Sequence, residues 1–102
     1  MKMKNTNTIK KLTAMPYAQA HIEKFDNGEI YLFSYTTCVA HIDQNGWLTI
    51  FGLYSQTTRR HIGCFCREYA NCDYHTAKTI YNDNYKMNIH TGEIIEIDKK
   101  GE

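Results

Sequence analysis

The chain of 102 residues is long enough for one domain with a single hydrophobic core and too short for a cleft between two domains. Hydrophobic residues make up 42% and aromatic residues 13% of it, which argues against intrinsic disorder. The formal net charge of +1 argues against a uniformly basic nucleic-acid binder and against an acidic DNA mimic, so any contact with an anion must come from a local patch.

The first segment of the chain, residues 1–14, is polar and rich in lysine, and it predicts a flexible basic arm. It lacks the apolar stretch of a signal peptide, and no part of the chain approaches the ~18 consecutive apolar residues of a membrane helix. We therefore expect a cytoplasmic protein with no membrane association. In such a reducing compartment its four cysteines are expected to be thiols.

A three-stranded antiparallel meander is predicted next. The first strand, "YAQAHIEKF", alternates apolar and polar residues. The hairpin signals "DNG" and "DQNG" separate it from one long strand, "EIYLFSYTTCVAHI", and from a third, "WLTIFGL". Two turn signals between three β-rich runs make the meander the simplest arrangement of these strands.

The apolar period then changes to that of a helix. The residues at helical offsets are Ile62, Phe65, Cys66 and Tyr69. They predict a helix over residues 57–70, with Ser55, Thr57 and Thr58 as candidate N-caps.

The rest of the chain predicts a second helix and a hairpin. Asp73 is the expected N-cap of the short helix "YHTAKTIYN", and "YKMNIHTGEIIEID" reads as a C-terminal β-hairpin. The predicted architecture is therefore α+β: a three-stranded meander, two helices packed on the sheet, and a C-terminal hairpin. Residues 15–98 would form the single domain, with a solvated tail at 99–102.

Sulfur and imidazole side chains are concentrated between residues 61 and 75. His61, Cys64, Cys72 and His75 are candidate zinc ligands. On a helix, however, Cys64 and Cys66 would point about 200° apart, and the Cys-x2-Cys spacing of structural zinc sites is missing. We predict no catalytic residue, no cofactor and no enzymatic activity; a zinc- or thiol-dependent enzyme is an alternative.

The arginines of the predicted helix point to binding. Arg59 and Arg60 fall in its first turn, where a positive charge opposes the helix dipole at a cost of up to ~1 kcal/mol. The free backbone N–H groups of that turn, with neighbouring hydroxyls, suit a phosphate or a carboxylate. Arg67 lies two turns further along the same face. The alternative is a solvated face on which Arg60 or Arg67 pairs with Glu68 or with an acidic loop. The predicted partner- or phosphate-binding residues are Tyr54, Thr57, Thr58, Arg59, Arg60 and Arg67.

The stretch "SYTTCVAHID…GWLTIFGLYSQTTRRHIGCFCREY", residues 34–69, resembles a small uncharacterised domain family of bacteriophages, plasmids and mobile elements. The shared pattern is SYxTxVA…GLYSxTTxRHI, and the cysteines are not part of it. The resemblance implies a non-enzymatic, anti-CRISPR-like protein in the cytoplasm of a bacterial host cell. It would inhibit a host defence complex stoichiometrically, by binding a host protein or nucleoprotein such as a Cas nuclease.

An alternative function uses the same predicted helix and the lysine-rich arm. On this reading the protein binds nucleic acid directly through the phosphate backbone. Under either hypothesis the protein is expected to be a monomer or a homodimer, because a small sheet with an exposed edge strand can pair with a second copy.

Overall fold

A computed structural model describes residues 7–97 of the chain. Within that range one antiparallel sheet of seven strands follows the chain order, so every strand pairs with its neighbours in sequence. The strands are β1 (Asn7–Lys10), β2 (Ala20–Phe25), β3 (Ile30–Ser34), β4 (Thr37–Ile42), β5 (Trp47–Ile50), β6 (Tyr85–Asn88) and β7 (Ile94–Glu96). Between β5 and β6 lie α1 (Gln56–Phe65), a π-helical turn (Cys66–Ala70) and α2 (Tyr74–Asn82).

The predicted three-stranded meander is wrong, and its long second strand is one reason. The chain reverses at Tyr35 and Thr36, so that β3 and β4 are two paired strands. Tyr35 makes this turn with a φ of 59°, a left-handed conformation that a bulky residue rarely adopts. No glycine, proline or asparagine marks the reversal, which explains why the sequence pattern predicts one continuous strand there.

The other reason is that further strands join the same sheet. The predicted C-terminal hairpin pairs with β5 through Trp47 and Asn88, and so extends the meander. At the other edge, β1 pairs with β2 from Asn7 opposite Phe25 to Lys10 opposite Ile22. The sheet therefore begins inside the segment predicted as a basic arm, whereas residues 1–6 and the predicted tail at 99–102 lie outside the described residues.

The helices pack on one face of the sheet and close the core. Inward-facing side chains of the central strands, such as Ile22, Leu32 and Leu48, are fully buried, and so are Phe65 of α1 and Ile80 of α2. Each aliphatic side chain buried in this way stabilises the fold by roughly 1.5–3 kcal/mol. None of the described helices is long and apolar enough to cross a membrane.

The two helices begin at side-chain caps. Ser55 Oγ accepts a hydrogen bond from the Thr58 N–H at 3.1 Å, so Ser55 is the N-cap of α1. The predicted cap of α2 is confirmed, because the Asp73 carboxylate accepts a hydrogen bond from the Thr76 N–H at 3.0 Å. The first helix does not continue regularly to residue 70, since it widens into the π-helical turn after Phe65 and ends at Asn71 with a φ of 56°.

Candidate functional site: a cationic cleft beside the first helix

One face of α1 opens onto a cleft. Gln56, Arg59, Arg60, Gly63 and Arg67 recur at helical spacing and all line it. We call this space the cationic cleft; its volume is about 820 Å³. The lining residues are Thr13, Ala14 and Met15 before β2, Gln56, Arg59, Arg60, Gly63, Cys64, Arg67 and Glu68 of the helical segment, and Tyr74 and Lys78 of α2.

The charge of the cleft is strongly positive. Arg59, Arg60, Arg67 and Lys78 line it, and all four side chains are exposed. Arg59 Nε donates a hydrogen bond to the Leu53 carbonyl at 3.2 Å. Within residues 7–97, no carboxylate lies within 4.0 Å of the cationic groups of Arg60, Arg67 or Lys78. Most of the positive charge around the cleft is therefore uncompensated there.

The single carboxylate in the described lining has another role. Glu68 accepts hydrogen bonds from the Thr13 backbone N–H at 2.9 Å and from the Thr13 hydroxyl at 2.6 Å. It thus fastens the segment before β2 against the helix, and does not pair with Arg60 or Arg67. Leu12, which is fully buried, anchors the same segment in the core.

The deeper part of the cleft is formed where α1 and α2 approach closely. A Cβ atom added at Gly63 would lie 3.1 Å from Cβ of Tyr74, so only glycine allows this helix spacing without a shift. The Tyr74 hydroxyl is buried and has no hydrogen-bond partner within the described part of the chain. Gly63 and Cys64 are buried, while Met15 and Tyr74 are half-buried. The innermost lining is thus largely apolar and its rim is cationic.

The structure separates the predicted binding residues into two groups. Arg59, Arg60 and Arg67 lie together on the cleft. Tyr54 and Thr57 are exposed but outside its lining, and the Tyr54 ring lies over Gly52. Thr58 is buried, so its hydroxyl is unavailable to a partner.

Thr58 belongs to a buried hydrogen-bond network that joins α1 to the end of β3. Ser34 Oγ lies 3.0 Å from Thr58 Oγ1 and 2.9 Å from His61 Nδ1. The side chains of Ser34 and His61 are only 2% and 1% exposed, which shields this serine–histidine pair from any substrate. Burial lowers the pKa of His61, so the imidazole is neutral at pH 7. The network is therefore structural, and it involves Ser34, Ser55, Thr58 and His61 of the SYxTxVA…GLYSxTTxRHI pattern.

The structure does not bring the four candidate zinc ligands together. His61 is held by Ser34, and His75 is exposed on α2. Among residues 7–97 no three His, Cys, Asp or Glu side chains are grouped as metal ligands would be. Cys72 instead lies against Cys66, whose thiol is fully buried. A hydrogen bond from Cys66 lowers the pKa of Cys72, whereas the same bond together with burial raises the pKa of Cys66.

Aromatic side chains occupy the sheet face away from the helices. The ring of His21 stacks on Phe33 with centroids 4.9 Å apart, and Tyr31 stacks on His41 at 4.3 Å. Glu29 accepts a hydrogen bond from His41 Nε2 at 3.2 Å. Part of the tyrosine excess is therefore used for cross-strand packing within the sheet.

Sequence reasoning missed the parts of the cleft contributed by other segments. Lys78 was not singled out, although it lies one helical turn after Tyr74 in α2. The sequence pattern places Thr13 and Ala14 in the arm and Met15 at the start of the domain, and nothing local indicates that this segment contacts Glu68. Of the residues in the lining, the sequence pattern indicates only the arginines, through their helical spacing.

Comparison with known proteins gives a family and no function. No curated protein and no solved structure matches the chain significantly. One family model matches residues 1–87, a range that includes every residue lining the cleft. The chain therefore belongs to DUF8033, a family of unknown function.

Proposed function

We propose that this protein is a non-enzymatic binding module that holds an anionic part of a macromolecular partner in the cationic cleft. The observation that carries the proposal is the convergence of Arg59, Arg60, Arg67 and Lys78 on one concave surface. Such a cluster repels itself unless a counter-charge is present, and a concave surface lined by one sign of charge focuses the field that attracts an anion. Arginine in particular presents a planar fork of donors that matches a carboxylate or a phosphate.

The reactive groups near the cleft favour binding over catalysis. Cys64 lines the cleft, but burial raises the pKa of its thiol, so little of the nucleophilic thiolate exists at pH 7. His61, one turn earlier, is committed to Ser34 inside the core. A thiol-dependent mechanism would therefore lack an activated nucleophile.

The kind of partner expected from the phage and mobile-element resemblance is a host defence complex, such as a Cas nuclease. That expectation rests on the resemblance alone and stays a prediction. Affinity purification from cells that express such a complex tests it. The complex should be recovered with the unmodified protein and lost with the cleft variant described next.

The proposal predicts that charge reversal at the cleft abolishes attraction for polyanions. The variant Arg60→Glu/Arg67→Glu should elute from immobilised heparin at much lower salt than the unmodified protein. The control Lys10→Glu/Lys86→Glu changes the net charge equally but alters β1 and β6, neither of which contributes to the described lining of the cleft. Its elution should stay close to that of the unmodified protein.

Two results bear directly against the proposal. One is equal loss of heparin retention in both double variants, which would mean that overall charge is responsible. The other is unchanged retention of the cleft variant. Circular dichroism and thermal unfolding of both variants would establish that each remains folded.

A further inference from the structure

We infer that the cationic cleft takes an acidic peptide segment with an apolar anchor side chain, and not a nucleic-acid backbone. The inference rests on the proposed function and deepens it by naming the chemical class of the partner's bound part. It depends on how burial and charge are distributed among the residues of the lining.

The rim of the cleft is suited to carboxylates. Arg59, Arg60, Arg67 and Lys78 are all exposed, so their charged groups can meet a ligand without prior rearrangement of the core. Glutamate or aspartate side chains on either side of an anchor could each reach one of them. Bidentate pairing with arginine would fix the orientation of the peptide.

The interior of the cleft is suited to an apolar side chain. Gly63 and Cys64 are buried there, and Met15 and Tyr74 are half-buried. None of these four offers a charged group to a phosphate. A leucine or aromatic side chain placed against them would remove apolar surface from water, which a sugar–phosphate backbone would not do.

The shape and aromatic content of the cleft also favour a peptide over a nucleic acid. A volume of about 820 Å³ accommodates a few side chains, comparable to pockets that enclose small ligands. Proteins that bind single-stranded nucleic acid combine a basic groove with several stacking aromatic rings. In the described lining Tyr74 is the one aromatic residue, and its hydroxyl end is buried.

The test uses defined probes and the full chain. An array of eight-residue peptides would carry four glutamates and one anchor, Leu, Phe, Tyr or Trp, at each position in turn. The matched peptides replace the anchor with serine, and the nucleic-acid probes are a 12-nucleotide oligo-dT and a 12-base-pair duplex. Fluorescence anisotropy at one fixed, moderate salt concentration measures the affinity of each probe.

We expect some anchored peptides to bind at least tenfold more tightly than their serine counterparts. Arg60→Glu/Arg67→Glu should abolish that binding, whereas Lys10→Glu/Lys86→Glu should retain it. Met15→Gln, which makes the interior more polar, should weaken the anchored peptides selectively and leave the serine peptides unchanged.

The outcomes separate this inference from the function on which it rests. If no anchored peptide binds more tightly than its serine counterpart, the inference is overturned. If an oligonucleotide binds more tightly than every peptide and loses affinity in Arg60→Glu/Arg67→Glu, the inference fails while the anion-binding function survives. If the cleft variant changes neither peptide nor oligonucleotide binding, both are wrong.

Discussion

At the scale of single residues, the histidine and cysteines between residues 61 and 72 serve folding more than chemistry. His61 is neutral and hydrogen-bonded in the core, and Cys66, the first residue of the π-helical turn, is fully buried. Burial lowers the pKa of His61, whereas the hydrogen bond with Cys72 together with burial raises the pKa of Cys66. These displacements can be measured without knowing the protein's partner.

The buried imidazole predicts acid sensitivity of the fold. The pKa of His61 lies below its ordinary value of 6.5 in the folded protein, so the unfolded chain binds the proton more readily. The free energy of unfolding should therefore fall as the pH drops below about 6.5 and level off below the lowered folded pKa. Urea unfolding at a series of pH values measures this dependence.

The control for this prediction is His61→Gln. The glutamine side chain can still hydrogen-bond to Ser34 but cannot titrate, so this variant should be less stable at pH 7 yet less sensitive to acid. An equally steep pH dependence in the variant would show that another group is responsible.

The contact between two thiols predicts selective alkylation. Because a hydrogen bond from Cys66 lowers the pKa of Cys72 and Cys72 is only partly buried, iodoacetamide should modify Cys72 first. Cys66→Ala removes the donor and should slow that reaction. Peptide mass spectrometry at short reaction times identifies the modified residue, and faster modification of Cys38 or Cys64 would contradict the assignment.

At the scale of elements, the segment before β2 and the helical segment after α1 are joined by side chains. Glu68 of the π-helical turn is hydrogen-bonded twice to Thr13, and Leu12 enters the core beside this contact. The segment thereby forms one wall of the cationic cleft. Its position depends on interactions that bridge more than half of the chain.

This contact predicts an energetic coupling between Glu68 and Thr13. A double-mutant cycle with Glu68→Gln and Thr13→Val should give a coupling free energy of about 1 kcal/mol, because the pair is charge-assisted but exposed. The measurement is urea unfolding of the two single variants and the double variant. Strictly additive effects would mean that the two side chains do not stabilise each other in solution.

At the scale of the whole molecule, the sheet extends to both ends of the described chain. β1 is an edge strand built from residues predicted to be a flexible arm, and β7 is the opposite edge with Ile94 and Ile95 exposed. The helices form one continuous insertion between β5 and β6, and they cover one face of the central strands. The domain therefore depends on its N-terminal segment for both core and cleft.

That dependence predicts a large loss of stability from a substitution in the predicted arm. Leu12→Ala should lower the free energy of unfolding by about 2–5 kcal/mol, since the side chain is fully buried. Lys10→Ala, which truncates an exposed side chain in β1, should change it by less than about 0.5 kcal/mol. Similar small effects of both substitutions in thermal or urea unfolding would mean that this segment is detached in solution.

Features that depend on near neighbours along the chain can be predicted from the amino-acid pattern. Alternation in β2, turn residues such as Gly28, and the cap at Asp73 were all visible, because a strand face, a turn or a helix start involves only a few consecutive residues. The arginine face of α1 was visible for the same reason. The sulfur cluster pointed to metal chemistry only as long as side-chain direction was ignored.

Contacts between residues that are distant in sequence follow only from the packing of the folded chain. The left-handed turn at Tyr35 has no sequence signal of its own and is stabilised by the pairing of β3 with β4. Lys78 and Thr13 reach the cationic cleft only because α2 and the segment before β2 pack against α1. Since Thr13 and Glu68 are 55 residues apart, no local pattern could indicate their contact, and the cleft exists only once the core has formed.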